Sequence, residues 1–123
     1  MPRPLLVSVV DDDESVRESL PDLLRVLGYE VRAFPSAEDF LSFAPIDEIR
    51  CLILDIAMPG MSGPDLQREL IRRGHSIPTV FITAHADTAA RPRLLEQGAV
   101  ECLVKPFSET ALLKALRLAM PMA

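Results

Sequence analysis

The chain has 123 residues, 49% of them hydrophobic and 25% charged, and its formal net charge is -5. This length suits one domain with a substantial apolar core and does not suit two. The acidic balance argues against direct binding of nucleic acid, because that affinity depends on basic contacts to phosphate. The sequence has no apolar run long enough for a membrane span and no signal-peptide pattern at its N-terminus.

Five short apolar runs bounded by polar or turn residues predict five β-strands. In chain order these are Leu5–Val10, Tyr29–Phe34, Arg50–Asp55, Pro78–Thr83 and Val100–Val104. The first, third and fourth runs are almost continuously apolar, which is typical of strands buried on both faces. The two cysteines, Cys51 and Cys102, fall inside predicted strands, so we expect buried, reduced thiols in a cytoplasmic protein.

Helical stretches follow the strands. They are predicted near Glu14–Leu27, Ala37–Phe43, Pro64–Arg73, Pro92–Gln97 and Glu109–Met120. Gly28, Gly74 and Gly98 follow the first, third and fourth helices, as C-cap glycines do. Ser36 and Asp39 have capping-box spacing at the start of the second helix.

Three prolines refine this pattern. Pro64 lies just inside the third helix, where its missing N–H is no loss. Pro21 lies inside the first helix and predicts a kink there, because it removes the hydrogen bond to residue 17. We expect the fourth helix to be short and to begin near Pro92, after a loose stretch from residue 85 to residue 91.

Alternating strands and helices with short connections predict an α/β fold in which helices cover both faces of a parallel sheet. We expect a single domain over residues 1–123, with its core at about 5–120 and no second domain in this chain.

Polar side chains stand at the carboxyl ends of four predicted strands. Asp11 and Asp12 follow the first strand, Asp55 ends the third, Thr83 ends the fourth and Lys105 follows the fifth. Functional groups of open α/β sheets collect at this edge. The five residues are therefore expected to form one small site, called here the acidic cleft, suited to a divalent metal and a phosphoryl group.

Carboxylates crowded in this way repel one another unless one is protonated or a cation binds. Oxygen ligands without nearby histidine or cysteine favour Mg²⁺, with Mn²⁺ as the alternative ion. The backbone carbonyl of Ala57 could complete the metal shell. Asp55 could attack phosphorus to give an aspartyl phosphate, while Lys105 supplies a positive charge and Thr83 a hydrogen bond.

The sequence at these strand ends resembles the receiver domains of bacterial two-component response regulators. The matching segments are Val9-Val10-Asp11-Asp12, Leu54-Asp55, Met58-Pro59, Gly63, Thr83-Ala84 and Lys105-Pro106-Phe107. Val31-Arg32-Ala33-Phe34, Ser36-Ala37-Glu38 and Gly98-Ala99-Val100 further resemble the branch typified by the nitrogen-fixation regulators. The resemblance implies a flavodoxin-like (βα)5 domain with strand order 2-1-3-4-5.

The resemblance also implies roles for the cleft. Asp55 would accept a phosphoryl group from the phosphohistidine of a sensor histidine kinase. Asp12 and Asp55 would bind Mg²⁺ directly, and Asp11 mostly through water. Thr83 and Lys105 would bind phosphoryl oxygens. The peptide bond before Pro106 would be cis.

Two positions, Ala57 and Cys102, depart from the family pattern. Ala57 stands where a polar or longer side chain is usual, next to the path of attacking water, and therefore bears on the lifetime of the phosphorylated form. His85 could fill the same space, or could be an exposed loop histidine. Cys102 replaces the aromatic switch residue, so we expect phosphorylation to reshape the loop before Pro92 instead of rotating a ring.

The family also suggests partners. The last helix has a core-facing stripe of Leu112, Leu116 and Ala119 within an apolar arc wider than one sheet requires. We therefore expect a partner surface built from the fourth helix, fifth strand and fifth helix. It would serve a homodimer or a C-terminal effector domain absent from this chain.

Three other functions compete with the phosphoacceptor switch, which would catalyse only its own phosphorylation and dephosphorylation. A Mg²⁺-dependent phosphatase would need a second aspartate where Ala57 stands. A flavodoxin-like electron carrier fits poorly, because carboxylates repel a flavin phosphate and the chain has no tryptophan. A degenerate receiver, binding partners without phosphorylation, stays open because of Cys102.

Overall fold

The structure, a computed structural model, describes residues 4–84 and 90–121. Its strands are β1 Leu6–Val10, β2 Glu30–Phe34, β3 Ile49–Asp55, β4 Thr79–Thr83 and β5 Glu101–Val104. They form one parallel sheet in the order β2-β1-β3-β4-β5. The predicted doubly wound α/β fold and strand order are therefore confirmed, and each strand begins within one residue of its predicted start.

Five α-helices alternate with the strands. They are α1 Glu14–Val26, α2 Ala37–Phe43, α3 Gly63–Arg72, α4 Ala90–Glu96 and α5 Glu109–Ala119. A short 3₁₀ helix, Ile46–Glu48, precedes β3 and was not predicted. Helix α1 continues through Pro21, which is buried; the kink expected there stays a prediction.

The start of α4 corrects one boundary. The helix begins at Ala90, two residues before the predicted start at Pro92. A proline fits there because the first N–H groups of a helix have no intrahelical acceptor. Most of the loose stretch expected before this helix, residues 85–89, lies outside the described residues.

Several helix ends have the predicted caps. Gly28, Gly74 and Gly98 adopt φ values of 99°, 87° and 103° after their helices, a left-handed conformation that favours glycine. The Ser36 hydroxyl accepts a hydrogen bond from the Asp39 backbone N–H at 3.0 Å.

The sheet is buried between two apolar layers. Val10, Phe40 and Leu66 belong to the layer beneath α2 and α3, and Val9 and Leu116 to the layer beneath α1 and α5. Every residue of β1 and β4 is buried, as their almost continuously apolar sequences predict. Both faces of the sheet are thus covered, and the polar side chains that end the strands collect at the carboxyl edge.

Two further observations concern the composition of the fold. Cys51 and Cys102 are both buried and unpaired, as predicted. Within residues 4–84 and 90–121, no helix combines the length and the apolar character needed to cross a bilayer.

Candidate functional site

The acidic cleft forms where β1 and β3 end side by side. Val10 pairs with Leu54 in the parallel register, so the next residues, Asp11 and Asp55, are neighbours. Asp12 completes the group, and one carboxylate oxygen from each of the three aspartates lies within 4.8 Å of the others. Asp11 is fully buried and Asp55 is 6% exposed, whereas Asp12 faces solvent. The structure thus brings together the three carboxylates that the sequence placed at strand ends.

Lys105 reaches this group from the end of β5. Its Nζ lies 2.8 Å from Asp11 Oδ2 and 4.0 Å from Asp55 Oδ1. The lysine is aimed by its backbone, because its N–H donates to the Thr83 carbonyl oxygen at 2.7 Å. The peptide bond between Lys105 and Pro106 is cis, as the resemblance implied.

Thr83 is the last residue of β4 and is 8% exposed. In the parallel register, Asp55 of β3 pairs with Ile82, the residue before Thr83. Thr83 itself pairs with Val104 of β5. Thr83 therefore lies at the carboxyl edge between the strand that ends in Asp55 and the strand followed by Lys105. All five cleft residues predicted from sequence are present along one edge of the sheet.

The electrostatic surroundings of the cleft shift the pKa of Asp55. Burial, followed by the negative charge of Asp11, raises the pKa of Asp55 from 3.8 to about 7, while Lys105 acts in the opposite direction. A carboxylate in this position holds a proton near neutral pH or exchanges it for a cation. Three oxygen donors with an excess of negative charge are the donor set that Mg²⁺ prefers.

The turn between β1 and α1 is held by local hydrogen bonds. Asp13 caps α1, because its side chain accepts from the Ser15 backbone N–H at 2.9 Å. Hydrogen bonds from Ser15 also lower the pKa of Asp13. The Arg17 guanidinium donates to the Asp11 carbonyl oxygen at 3.1 Å, a contact that the sequence did not reveal. These contacts fix the backbone from which Asp11 and Asp12 project.

The loop after Asp55 is packed closely against the strand it leaves. A methyl group on Gly63 would lie 2.2 Å from the Asp55 carbonyl oxygen, and the Gly63 N–H donates to the Ile56 carbonyl at 3.0 Å. Ala57 lies exposed in this loop, and its role as a metal ligand stays a prediction. Glu38 of α2 contacts the same loop through the Met61 N–H at 3.1 Å.

Sequence reasoning missed that role of Glu38. Its partner is a backbone N–H 23 residues away, and a backbone group has no signature in the sequence. In the sequence, Glu38 stands out only as part of the family resemblance of Ser36-Ala37-Glu38. A second missed feature is the full capping box of α3, formed by Ser62 and Asp65.

Cys102 and His85 are the two remaining switch candidates. Cys102 is buried in β5 opposite Phe81, and burial raises the pKa of its thiol. Its backbone N–H donates to Glu101 Oε1 at 2.9 Å, and the same oxygen accepts from Arg91 at 2.7 Å. His85 lies outside the described residues. The switch roles of both residues stay predictions.

The last helix buries Leu112, Leu116 and Ala119, which confirms the predicted core-facing stripe. Leu118 on the same helix is 56% exposed, and Val104 at the end of β5 is 43% exposed. Apolar side chains therefore remain uncovered within the surface formed by α4, β5 and α5, called here the α4–β5–α5 face.

Comparison with known proteins decides the family. The profile for the response regulator receiver domain matches residues 7–117. The chain belongs to that family. The match spans both layers of the fold and all residues of the acidic cleft.

Relatives similar to this chain include named response and transcriptional regulators. The chain is 46% identical over 111 residues to nodulation protein W of Bradyrhizobium diazoefficiens, covering 90% of this chain and 49% of that protein. It is 41% identical over 121 residues to response regulator protein TodT of Pseudomonas putida, covering 98% of this chain and 53% of TodT. It is 40% identical over 110 residues to transcriptional regulatory protein FixJ of Rhizobium meliloti, covering 89% of this chain and 54% of FixJ. A position in the nitrogen-fixation regulator branch is consistent with these relatives, and the chain spans about half of their length.

Solved structures agree with the fold. Response regulator StyR superposes with a TM-score of 0.88 at 47% identity, over 98% of this chain and 61% of StyR. The crystal structure of FixJ-N gives a TM-score of 0.85 at 38% identity, over 100% of this chain and 98% of that one. Receiver domains typically bind Mg²⁺ at an acidic pocket, and the aspartate cluster of this chain offers oxygen atoms that could hold a metal ion.

Proposed function

We propose that this chain is a phosphoacceptor signalling switch in which Asp55 receives a phosphoryl group from a sensor histidine kinase in a Mg²⁺-dependent reaction. The observation that carries the proposal is the arrangement of the acidic cleft. Carboxylate oxygens of Asp11, Asp12 and Asp55 lie within 4.8 Å of one another, and Lys105 Nζ lies 4.0 Å from Asp55 Oδ1. Membership of the receiver family supports the same reaction.

The proposed transfer makes one bond and breaks one bond. A carboxylate oxygen of Asp55 attacks phosphorus, the bond between phosphorus and the kinase imidazole nitrogen breaks, and the imidazole leaves with the bonding electrons. Asp55 must be unprotonated to attack, and because its pKa is raised to about 7, a bound cation would favour that form near neutral pH. The chemistry is otherwise a matter of positioning and charge neutralisation.

The residues around Asp55 supply these two requirements. Asp12, Asp55 and the Ala57 carbonyl would hold Mg²⁺, with Asp11 contributing mostly through water. Bound there, Mg²⁺ would neutralise negative charge on the transferring group. Lys105 lies close enough to move from Asp11 to a phosphoryl oxygen on Asp55. Thr83 would donate its hydroxyl to another oxygen.

The output is proposed to pass through the α4–β5–α5 face. Its exposed Val104 and Leu118 suit a homodimer or a contact with an effector domain. The chain spans about half the length of its relatives, and contact with an effector domain is part of the same proposal. A cytoplasmic location and the absence of turnover on an external substrate belong to the same proposal.

The test is intact-mass spectrometry after incubation with Mg²⁺ and acetyl phosphate. We expect the wild type to gain one phosphoryl group, Asp55→Asn to gain none, and a chelator to abolish the gain. Asp47→Asn is the matched control, because this aspartate side chain is 92% exposed and lies outside the cleft. It should be phosphorylated like the wild type.

Two results would contradict the proposal. Equal phosphorylation of Asp55→Asn and wild type would place the acceptor elsewhere. If the wild type gained no phosphoryl group from acetyl phosphate and bound no beryllofluoride in the presence of Mg²⁺, the degenerate receiver would replace the switch as the proposed function.

A further inference from the structure

The loop between β3 and α3, residues 56–62, forms part of the proposed phosphorylation site. It begins directly after Asp55 and carries Ala57, whose carbonyl is a proposed Mg²⁺ ligand. Its first residue is tied to the sheet, since the Ile56 N–H donates to the Ile82 carbonyl at 3.0 Å. At its far end the Gly63 N–H donates back to the Ile56 carbonyl. Between these two points the Met58 side chain is buried in the apolar layer beneath α2 and α3, whereas Ala57 is exposed.

Helix α2 provides a restraint from outside the loop. The Glu38 carboxylate accepts a hydrogen bond from the Met61 N–H at 3.1 Å, a contact between residues 23 positions apart. A carboxylate that accepts from a backbone N–H makes a charge-assisted hydrogen bond, which is stronger than a neutral one. Glu38 is exposed, so this contact and not core packing is its structural contribution.

Gly60, the residue before Met61, leaves room for the Glu38 carboxylate. Gly60 has a φ of 76°, which glycine adopts without strain. A methyl group at Gly60 would also lie 2.8 Å from Glu38 Oε2. The loop therefore approaches Glu38 at the one place where it has no side chain, and the Met61 N–H beside it faces the same oxygen.

We propose that Glu38 is a positioning residue for the phosphorylation site, which holds the loop after Asp55 through the Met61 N–H so that the Ala57 carbonyl stays in place for Mg²⁺. The inference rests on the proposed function and adds to it a residue outside the acidic cleft. A loop released from Glu38 spends only part of its time in the binding arrangement. The apparent dissociation constant for Mg²⁺ then rises in inverse proportion to that fraction.

Mg²⁺ titration followed by NMR or calorimetry tests the proposal; the chain has no tryptophan to report binding by fluorescence. Glu38→Ala should raise the dissociation constant for Mg²⁺ about three- to tenfold. Glu38→Gln should restore most of the affinity, because its amide oxygen can still accept from Met61. Glu18→Ala is the matched control, as it removes the same charge from another exposed helical position and should bind Mg²⁺ like the wild type.

Two measurements separate positioning from general stability. Amide exchange of Met61 in metal-free protein should accelerate in Glu38→Ala and not in Glu18→Ala. Gly60→Ala should weaken Mg²⁺ binding in the wild-type background and have a smaller additional effect in Glu38→Ala, because both changes remove the same contact.

Three outcomes would overturn the inference. They are unchanged Mg²⁺ affinity in Glu38→Ala, equal weakening in Glu38→Ala and Glu38→Gln, and equal weakening in Glu18→Ala. The second and third would assign the effect to charge and not to the hydrogen bond. If the wild type itself bound neither Mg²⁺ nor beryllofluoride, the proposed function would fail as well. If the wild type bound Mg²⁺ and Glu38→Ala bound it with the same affinity, only the role of Glu38 would fail.

Discussion

At the scale of single residues, the Asp55 carboxylate lies in surroundings that disfavour its charge. Its carboxylate is 6% exposed and faces the buried charge of Asp11. Lys105 offsets part of this repulsion from 4.0 Å, yet the pKa of Asp55 still rises to about 7. A carboxylate that is repelled by its neighbours in the metal-free protein is strongly stabilised when a cation binds beside it.

This repulsion predicts a dependence of stability on pH in metal-free protein. The folded pKa of about 7 exceeds the ordinary value of 3.8, so between these values the folded state binds more protons than the unfolded state. The Asp55 contribution to stability is therefore fully present below pH 4, falls as the pH rises to about 7, and is flat above. Asp55→Asn removes this decline and should make the chelated protein more stable by roughly 1–3 kcal/mol at pH 8.

Urea unfolding with a chelator at pH 4 and pH 8 measures this effect. Asp55→Asn should have a higher free energy of unfolding than the wild type at pH 8 and the same value at pH 4. Asp47→Asn should have the free energy of unfolding of the wild type at both pH values. A variant whose stability falls between the two pH values as steeply as that of the wild type would refute the assigned cause.

Ser8 offers a second prediction at this scale. It lies in the middle of β1, fully buried, and its Oγ has no hydrogen-bond partner within the described part of the chain. A buried hydroxyl without a partner costs free energy that a methyl group does not. Ser8→Ala should leave the free energy of unfolding unchanged or raise it by about 1 kcal/mol.

The contrasting variant is Thr79→Val. The Thr79 hydroxyl is also buried but donates to the Ile77 carbonyl at 3.0 Å, so its loss should destabilise the protein by about 1 kcal/mol. Urea unfolding of both variants is the measurement. A Ser8→Ala variant that loses as much stability as Thr79→Val would mean that Ser8 has a partner in solution.

At the scale of elements, the connection from β3 to α3 has little tolerance for added volume. Gly63 is the first residue of α3, and a methyl group there would lie 2.2 Å from the Asp55 carbonyl oxygen. That neighbour is backbone of a buried strand and cannot move cheaply. Gly63→Ala should therefore destabilise the protein by about 2–4 kcal/mol and weaken Mg²⁺ binding, because relief of the clash displaces Asp55.

Gly74→Ala is the matched comparison. A methyl group at Gly74 meets nothing within 4 Å, although its φ of 87° disfavours alanine. Its cost should be about 1 kcal/mol, without a change in Mg²⁺ affinity. Chemical unfolding and Mg²⁺ titration distinguish the two variants, and equal losses of stability would exclude the clash as the dominant effect.

The strands and helix ends show what can be predicted from a single sequence, and two other features show what cannot. The strands were located within a residue because apolar runs and burial go together, and Gly28, Gly74 and Gly98 marked helix ends because few other residues adopt their conformation. The cleft aspartates were assembled because parallel strands end at one edge. The 3₁₀ helix at residues 46–48 and the contact from Glu38 to Met61 escaped prediction, since each depends on how separate segments pack.

At the scale of the whole molecule, exposed apolar residues predict how activation changes association. Leu118 is 56% exposed on the α4–β5–α5 face, whereas Val26 is 82% exposed at the end of α1. If the α4–β5–α5 face joins two copies, beryllofluoride with Mg²⁺ should shift the wild type from monomer toward dimer. Leu118→Glu should weaken that association at least tenfold, because a desolvated, unpaired charge opposes it.

Sedimentation velocity over a range of concentrations measures the shift. Val26→Glu introduces the same charge away from the face and should dimerise like the wild type. An activated wild type that stays monomeric throughout would remove the homodimer and leave the effector-domain contact as the output. Dimerisation of Leu118→Glu equal to that of the wild type would move the interface to another surface.

The ion pair between Asp11 and Lys105 joins residues 94 positions apart, one after the first strand and the other after the last. Protein chains emerge from the ribosome N-terminus first, and loop closure over such a distance is slow compared with local helix formation. A nascent chain that has exposed Asp11, Asp12 and Asp55 therefore still lacks the cation that balances Asp11. Under the proposed function, a chain that lacks Lys105 would lack one of the groups that bind the phosphoryl oxygens, so partly synthesised copies would be poor acceptors compared with finished ones.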